Sequence, residues 1–301
     1  MLKIAYHNAY IHPLPENHRF PMLKYELIAE QLLYEGIVEL ENFFQPQIAP
    51  LEYLYLAHDR TYVDNFIAQR LDAKMIRRIG FPMTDSLVER ERYIIDGTIK
   101  SAQFALKYGI SFNIAGGTHH AGYDYGEGFC MLNDQAVAAS YLLHHKMVSK
   151  ILIVDLDVHQ GNGTAHIFKN RNDVFTFSMH GEKNFPFVKE ISSKDIGLPD
   201  GISGDNYLEI LNESLRELFE FVNPDFVFYQ AGVDVLDTDK LGKLKLAKEE
   251  CKQRDISVLN MCVRNNVPVQ ISMGGGYSPN ISDVVNAHLE TFKAAKFIFD
   301  L

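Results

Sequence analysis

Six short runs of apolar and β-branched residues recur along this chain without polar alternation, and they restrict its fold more than any other feature. They are residues 2–7 (LKIAYH), 111–115 (SFNIA), 150–155 (KILIVD), 173–179 (DVFTFSM), 225–230 (DFVFYQ) and 267–272 (VPVQIS). A strand with one face in water alternates polar and apolar residues, whereas a strand apolar throughout is covered on both faces, as in a parallel sheet. Stretches of helical length separate the runs: 21–35, 60–70, 86–108, 133–146, 205–222, 245–265 and 281–298. The last places Val284, Val285, Leu289, Phe292 and Ile298 at roughly helical spacing. Strand alternating with helix predicts an α/β fold, a doubly wound and mostly parallel sheet flanked by helices. Residues 36–58 and 181–204 read as irregular loops. With no Pro/Gly/Ser-rich linker, low-complexity tract or repeat, residues 1–301 are expected to form a single domain.

The unusual polar residues gather just beyond these runs. SFNIA leads into GGTHHA, KILIVD into LDVHQGNGT, DFVFYQ into AGVD, and VPVQIS into MGGGY. Open parallel sheets bind ligands in the crevice outside the carboxyl ends of their strands. Four separate strands therefore direct chemistry to one place.

Asp155, Asp157 and His159 stand at alternate positions, on one face of an extended chain. Two carboxylates and an imidazole at a buried strand end would cost several kcal/mol without a compensating cation. The alternative is an ordinary strand terminus, with an Asp capping a helix that begins near Gly161. Asp234, after another apolar run, supplies a third ligand. Two Asp oxygens and one His nitrogen leave a coordination position open, as in catalytic zinc sites, although an oxygen-rich set also suits Fe(II). His119 and His120 sit in a glycine-bounded loop and are candidates for acid–base work, with Asp155 available to orient one of them. The pair His144-His145 reads as an ordinary helix end. Tyr277 follows three glycines and either donates its hydroxyl to an oxyanion or packs in a turn; Phe129 either lines a channel or belongs to the core.

Composition narrows the partners. Lys plus Arg number 29 against 39 Asp plus Glu, a formal net charge of −10, and no basic block breaks the pattern. Such a surface repels nucleic-acid phosphate. No apolar run reaches membrane-spanning length, and the first residues lack the long apolar stretch of a secretory signal. Three cysteines (Cys130, Cys251, Cys262) without metal-like spacing fit a reducing, cytoplasmic setting, and Cys130 is read as packing. Nothing here signals an oligomeric state.

Taken in order, GGTHHA, GFCMLND, DLDVHQGNGT, FSMH, AGVD and GGGY resemble the motifs of the histone deacetylase family, whose fold is shared with arginase. His12-Pro13 and HRFP (18–21) extend the likeness upstream, and Gln160 with AGVDVLDTDKLGKL (231–244) is most similar to the class IV branch and its bacterial relatives. The resemblance implies a hydrolase that removes acyl groups from lysine through a metal-activated water. Zinc would be held by Asp157, His159 and Asp234, with Fe(II) as the other candidate. His119 and His120 would be the tandem catalytic histidines, paired with Asp155 and Asn162, and Tyr277 would polarise the carbonyl. A structural potassium would sit on Asp155, Asp157, His159, Ser178 and Met179. Phe129, Gly128, Phe185, Leu241 and Gly275 would line the substrate tunnel, with Phe187 the alternate to Phe185.

The expected substrate is an acyl-lysine peptide or protein; a small acetylated amine, such as a polyamine, is the alternative. Polyamine recognition needs an anionic mouth, but Leu241 stands seven residues after Asp234, with Lys240 beside it. Asp237 and Asp239 are close enough in sequence to restore that charge. An apolar mouth also suits acyl chains longer than acetyl. An arginase-like dinuclear hydrolase would need a second Asp-rich motif around Asp234, and a non-catalytic acyl-lysine-binding protein would not need the intact histidines and tyrosine.

Overall fold

The computed structural model describes residues 1–301. Eight strands form one sheet: β1 (Lys3–Ala5), β2 (Phe43–Phe44), β3 (Ile110–Asn113), β4 (Ile151–Asp155), β5 (Val174–Gly181), β6 (Lys194–Leu198), β7 (Phe226–Gln230) and β8 (Val269–Ser272). Their order is β2-β1-β3-β8-β7-β4-β5-β6, and every neighbouring pair is parallel. The expected fold is therefore the observed one, with the sheet wholly parallel.

All residues of β3, β4, β7 and β8 are buried, as their unbroken apolar character requires. Helices cover both faces, and 78 buried apolar residues make one continuous core, so the chain is a single domain. The helix Asp85–Tyr108 begins at Thr84, whose hydroxyl accepts the Leu87 N–H, and ends at Gly109 with φ 88°. No helix is long and apolar enough to cross a membrane.

Two stretches read as irregular are partly regular. Residues 36–58 contain the edge strand β2 and the short helix Leu51–Leu54, and residues 181–204 contain β6. β2 is two residues long, and β6 (KDIGL) is an outer strand whose burial alternates, so neither carries a continuous apolar run. The helix Ala73–Ile79 is an addition to the expected set, and Asn162–Phe168 is the helix expected near Gly161.

The central register positions the site. Asn113 pairs with Ser272, Ser272 with Gln230 and Gln230 with Asp155, so β3, β8, β7 and β4 end at one level. The four polar segments that follow leave the sheet side by side.

Candidate metal centre

Beyond β4 the chain turns tightly, held by its own carboxylates. Asp155 Oδ1 accepts the Asp157 N–H at 3.1 Å, and Asp157 Oδ1 accepts the His159 N–H at 3.0 Å. Asp234, in the segment after β7, accepts the Val158 N–H at 2.9 Å and so ties the two strand ends together. Ligand atoms of Asp157, His159 and Asp234 all lie within 4.8 Å of one another, and His159 Nδ1 is 3.1 Å from both Asp157 Oδ1 and Asp234 Oδ2. All three side chains are buried. Asp155 is not a helix cap: its Oδ2 lies 2.7 Å from His119 Nδ1, and the helix Asn162–Phe168 starts at Gly161 without a side-chain cap.

This donor set fits a divalent cation. Two buried carboxylates converge on one imidazole, and the nearest buried ammonium, Lys24, donates instead to the Gly274 carbonyl at 2.7 Å. Carboxylates this close need a cation or a proton. Without a cation the first proton goes to His159, which Asp157 and Asp234 push up to about 10 against the opposing effect of burial, and the next to Asp234, which burial and the adjacent Asp157 push up to about 7. Asp157 and His159 also line cavities, which leaves the cluster open on one side. Asp237 is exposed and Asp239 is engaged by backbone N–H groups, so no second metal cluster forms beside the first.

His119 and His120 lie with ring centroids 4.2 Å apart, yet their environments differ. His119 faces the Asp155 carboxylate. Burial disfavours its charge, but Asp155 and Asp157 outweigh burial and push its pKa up to about 9. His120 Nδ1 lies 2.7 Å from Asn162 Oδ1. Burial holds its pKa well below the usual histidine value, and repulsion from His119 and His159 adds to that. The two adjacent rings are thus pushed in opposite directions, His119 toward the charged form and His120 toward the neutral one.

The neutral ring's tautomer follows from the next contact. Asn162 Nδ2 donates to Glu127 Oε1 at 2.5 Å, and a carboxylate only accepts, so Asn162 must present its oxygen to His120. His120 therefore carries its proton on Nδ1 and keeps the Nε2 lone pair free. Glu127 is buried and pairs with Arg78 at 2.6 Å. The sequence offered only its glycine neighbours as a signal.

The Gly274–Gly276 loop has no side chains to hold it, and it is pinned at each peptide instead. Lys24 Nζ holds the Gly274 carbonyl, the Val233 N–H donates to the Gly275 carbonyl at 2.9 Å, and the Gly275 N–H donates to Asp157 Oδ2 at 3.0 Å. The Tyr277 N–H donates to Asp239 Oδ2 at 2.6 Å. A Cβ at Gly275 would collide with the Asp234 carboxylate, so only glycine lets this backbone approach the ligands. Tyr277 is half-buried, its ring centroid 6.4 Å from that of His159 and 6.0 Å from that of Phe129. Burial, with Asp234 and Asp157, pushes its hydroxyl well above the ordinary tyrosine value, so it remains a donor. Lys24 and Asp239 thus belong to the site's framework. The sequence placed Lys24 only in the helix 21–35 and Asp239 at the mouth.

A cavity of about 380 Å³ reaches this centre, lined by His120, His159, Tyr277 and, further out, Gly128, Phe129, Phe185 and Leu241. The Phe185 ring packs edge-on against His120 at 5.0 Å, whereas Phe187, also on the lining, is 87% exposed. A smaller cavity of about 30 Å³ shares His120, Gly128, Phe129 and Tyr277 and adds Thr118, Cys130 and Gly275. Gly275 therefore lines the inner space and not the outer one. Lys240 and Asp237 are exposed and line neither cavity. Asp155 and Ser178 are register partners on β4 and β5, Met179 is buried beside them, and the Ser178 hydroxyl lies 2.9 Å from His180 Nδ1. His144 and His145 are exposed at a helix end.

Comparison with known proteins yields one consistent family. Residues 18–292 match the histone deacetylase domain. The chain is 45% identical over 296 residues to an uncharacterised protein from Picosynechococcus sp., covering 98% of this chain and 99% of the relative. It is 28% identical over 283 residues to histone deacetylase 2 of Arabidopsis thaliana, covering 91% of this chain and 73% of that one. Among solved structures, a histone deacetylase homologue from Aquifex aeolicus superposes with a TM-score of 0.82 at 22% identity, covering 99% of this chain and 88% of the other.

Proposed function

The chain belongs to the histone deacetylase family, and on that footing we propose that it hydrolyses the amide of N-acyl-lysine at one divalent metal, Zn²⁺ or alternatively Fe²⁺, held by Asp157, His159 and Asp234. The observation that carries this reading is one cavity that meets the buried ligand cluster, the free Nε2 of His120 and the hydroxyl of Tyr277. When bound, the metal supplies Lewis acidity and a water of lowered pKa.

The chain's own groups do the rest. His120, neutral with Nε2 unprotonated, takes the proton of the attacking water. Tyr277 donates its hydroxyl to the developing oxyanion. Protonated His120 returns the proton to the departing amine. His119, paired with Asp155 at 2.7 Å, holds that carboxylate in place beside the ligand cluster. Asn162 and Glu127 keep His120 in the required tautomer. A structural K⁺ on Asp155, Asp157, His159, Ser178 and Met179 is part of the same reading and would stiffen the ends of β4 and β5.

Acyl-lysine is favoured over an acetylpolyamine because the mouth offers no carboxylate: Leu241 lines it, and Asp239 is turned inward. The inner cavity of about 30 Å³ has room for a group near methyl size, which favours acetyl over long acyl chains. The test is turnover by metal-reconstituted protein of acetyl-lysine peptides, longer acyl-lysine peptides and N-acetylated putrescine and spermidine. The highest kcat/KM is expected on acetyl-lysine peptides. Preference for acetylpolyamines would overturn the lysine reading, and metal-loaded protein that cleaves none of them would overturn the enzymatic one.

A further inference from the structure

The entrance to the large cavity is cationic, although the formal net charge of the chain is −10. Arg19, Arg77, Arg78, Lys183 and Lys243 line it, and no Asp or Glu does. Two of these charges are matched, Arg78 by Glu127 at 2.6 Å and Lys183 by Asp200 at 3.7 Å. Arg19, Arg77 and Lys243 have no acidic partner. They approach the opening from three separate parts of the chain: the segment before the first long helix, the last turn of the helix Ala73–Ile79, and the segment after β7. Arg19 is exposed, its guanidinium carbon 5.8 Å from the centroid of the tunnel residue Phe129. Lys243 is held by a 3.2 Å bond from its Nζ to the Lys183 carbonyl oxygen.

We propose that this entrance selects acyl-lysines flanked by acidic residues. The inference rests on the acyl-lysine reading above and names the sequence context that the site prefers. With the lysine side chain in the tunnel, the residues on either side of it lie against the rim, where three unmatched positive charges face them. Charge of one sign around a cleft with low-dielectric walls concentrates ligands of the opposite sign and repels its own. The rim therefore disfavours free polyamines and lysine-rich segments for the same reason. The acidic remainder of the surface repels an acidic peptide elsewhere, so the attraction is confined to the entrance.

Three acetyl-lysine peptides of equal length, flanked by Asp, by Gln or by Lys, decide the matter. Affinity for metal-loaded protein is measured by fluorescence anisotropy, and turnover separately. The Asp-flanked peptide should bind about tenfold or more tighter than the Lys-flanked one, the sum of a few exposed pairs, with the difference in KM and not in kcat. The preference should vanish near 1 M salt, where screening acts within about 3 Å. It should fall to within about twofold when Arg19→Gln, Arg77→Gln and Lys243→Gln are combined. Equal affinities at low salt, or a preference that survives those substitutions, would overturn the proposal. A charge preference in binding without hydrolysis of any peptide would leave it standing and defeat the deacylase reading; equal binding with rapid hydrolysis would do the reverse.

Discussion

Asp239→Asn replaces one oxygen by an NH₂ group and should nonetheless cost the protein much of its turnover. Asp239 is buried and accepts three backbone N–H groups: Leu241 at 2.8 Å and Gly242 at 2.9 Å on Oδ1, and Tyr277 at 2.6 Å on Oδ2. An amide has one acceptor where the carboxylate had two. If its oxygen faces Leu241 and Gly242, its NH₂ opposes the Tyr277 N–H; the flipped amide opposes two donors and is worse. The loss is one charge-assisted bond plus an unmatched buried donor, about 2–3 kcal/mol. The glycine peptides have their own bonds to Lys24, Val233 and Asp157, whereas the Tyr277 N–H is held by Asp239, so most of the loss should appear as a misplaced Tyr277 hydroxyl. That corresponds to a fall in kcat of about 30- to 100-fold, with KM changing less and metal content intact.

The decisive assay is a double-mutant cycle with Tyr277→Phe. If Asp239 acts through the Tyr277 hydroxyl, adding Asp239→Asn to Tyr277→Phe should cost less than about twofold more. Undiminished kcat in the folded, metal-loaded Asn variant, or full additivity of the two losses, would refute the positioning role.

Other perturbations test the remaining parts. Asp157→Ala should lose bound metal and activity together, and elemental analysis finding two tightly bound transition metals per active chain would defeat the mononuclear site. Tyr277→Phe alone should keep fold and metal but lower kcat by roughly 10²–10³-fold; near-normal kcat would assign the residue to packing. Asn162→Asp combined with Glu127→Gln, which supplies an NH₂ where two carboxylates would otherwise meet, sets a carboxylate against His120 and should raise that histidine's pKa and move the acidic limb of the kcat/KM profile up by about one unit or more. An unmoved limb would remove His120 as the base. Burial holds His58 at about 4, below its ordinary 6.5, with Nδ1 2.9 Å from the Gly122 carbonyl oxygen and Nε2 accepting the Asn133 N–H at 2.9 Å. A depressed pKa means stability that is complete above the unfolded value and lost as pH falls toward the folded one, here up to about 3 kcal/mol. Urea midpoints from pH 7 to pH 4 should show that slope, with His120 and His180 contributing in the same direction, and His58→Gln should reduce it.

The centre was legible because its chemistry sits where the chain's strongest pattern ends. β3, β8, β7 and β4 are apolar runs of similar length ending in register, so their continuations GGTHHA, GGGY, AGVD and DLDVH had to emerge together. The ligands themselves need only the right side chain two to four positions past a strand. Glu127, Lys24 and Asp239 were not legible, since each acts through a backbone group or amide brought to it from a distant segment: Asn162, Gly274 and Tyr277. An isolated Glu between glycines or a Lys opening a helix carries no mark of such a partner.

The mouth shows the same limit in a sharper form. Counting from Asp234 places Leu241 at the rim, where it lies, but puts Lys240 beside it and leaves Asp237 and Asp239 free to turn in. Asp239 bonds the N–H groups two and three residues ahead of it and so turns the chain. That turn directs Lys240 away from the opening and brings Lys243 into it. A carboxylate that looked able to make the entrance acidic instead shapes the loop that helps make it cationic. The sign of the mouth is a property of the turn, of the segment before the first long helix and of the helix Ala73–Ile79, and no count along the chain contains it.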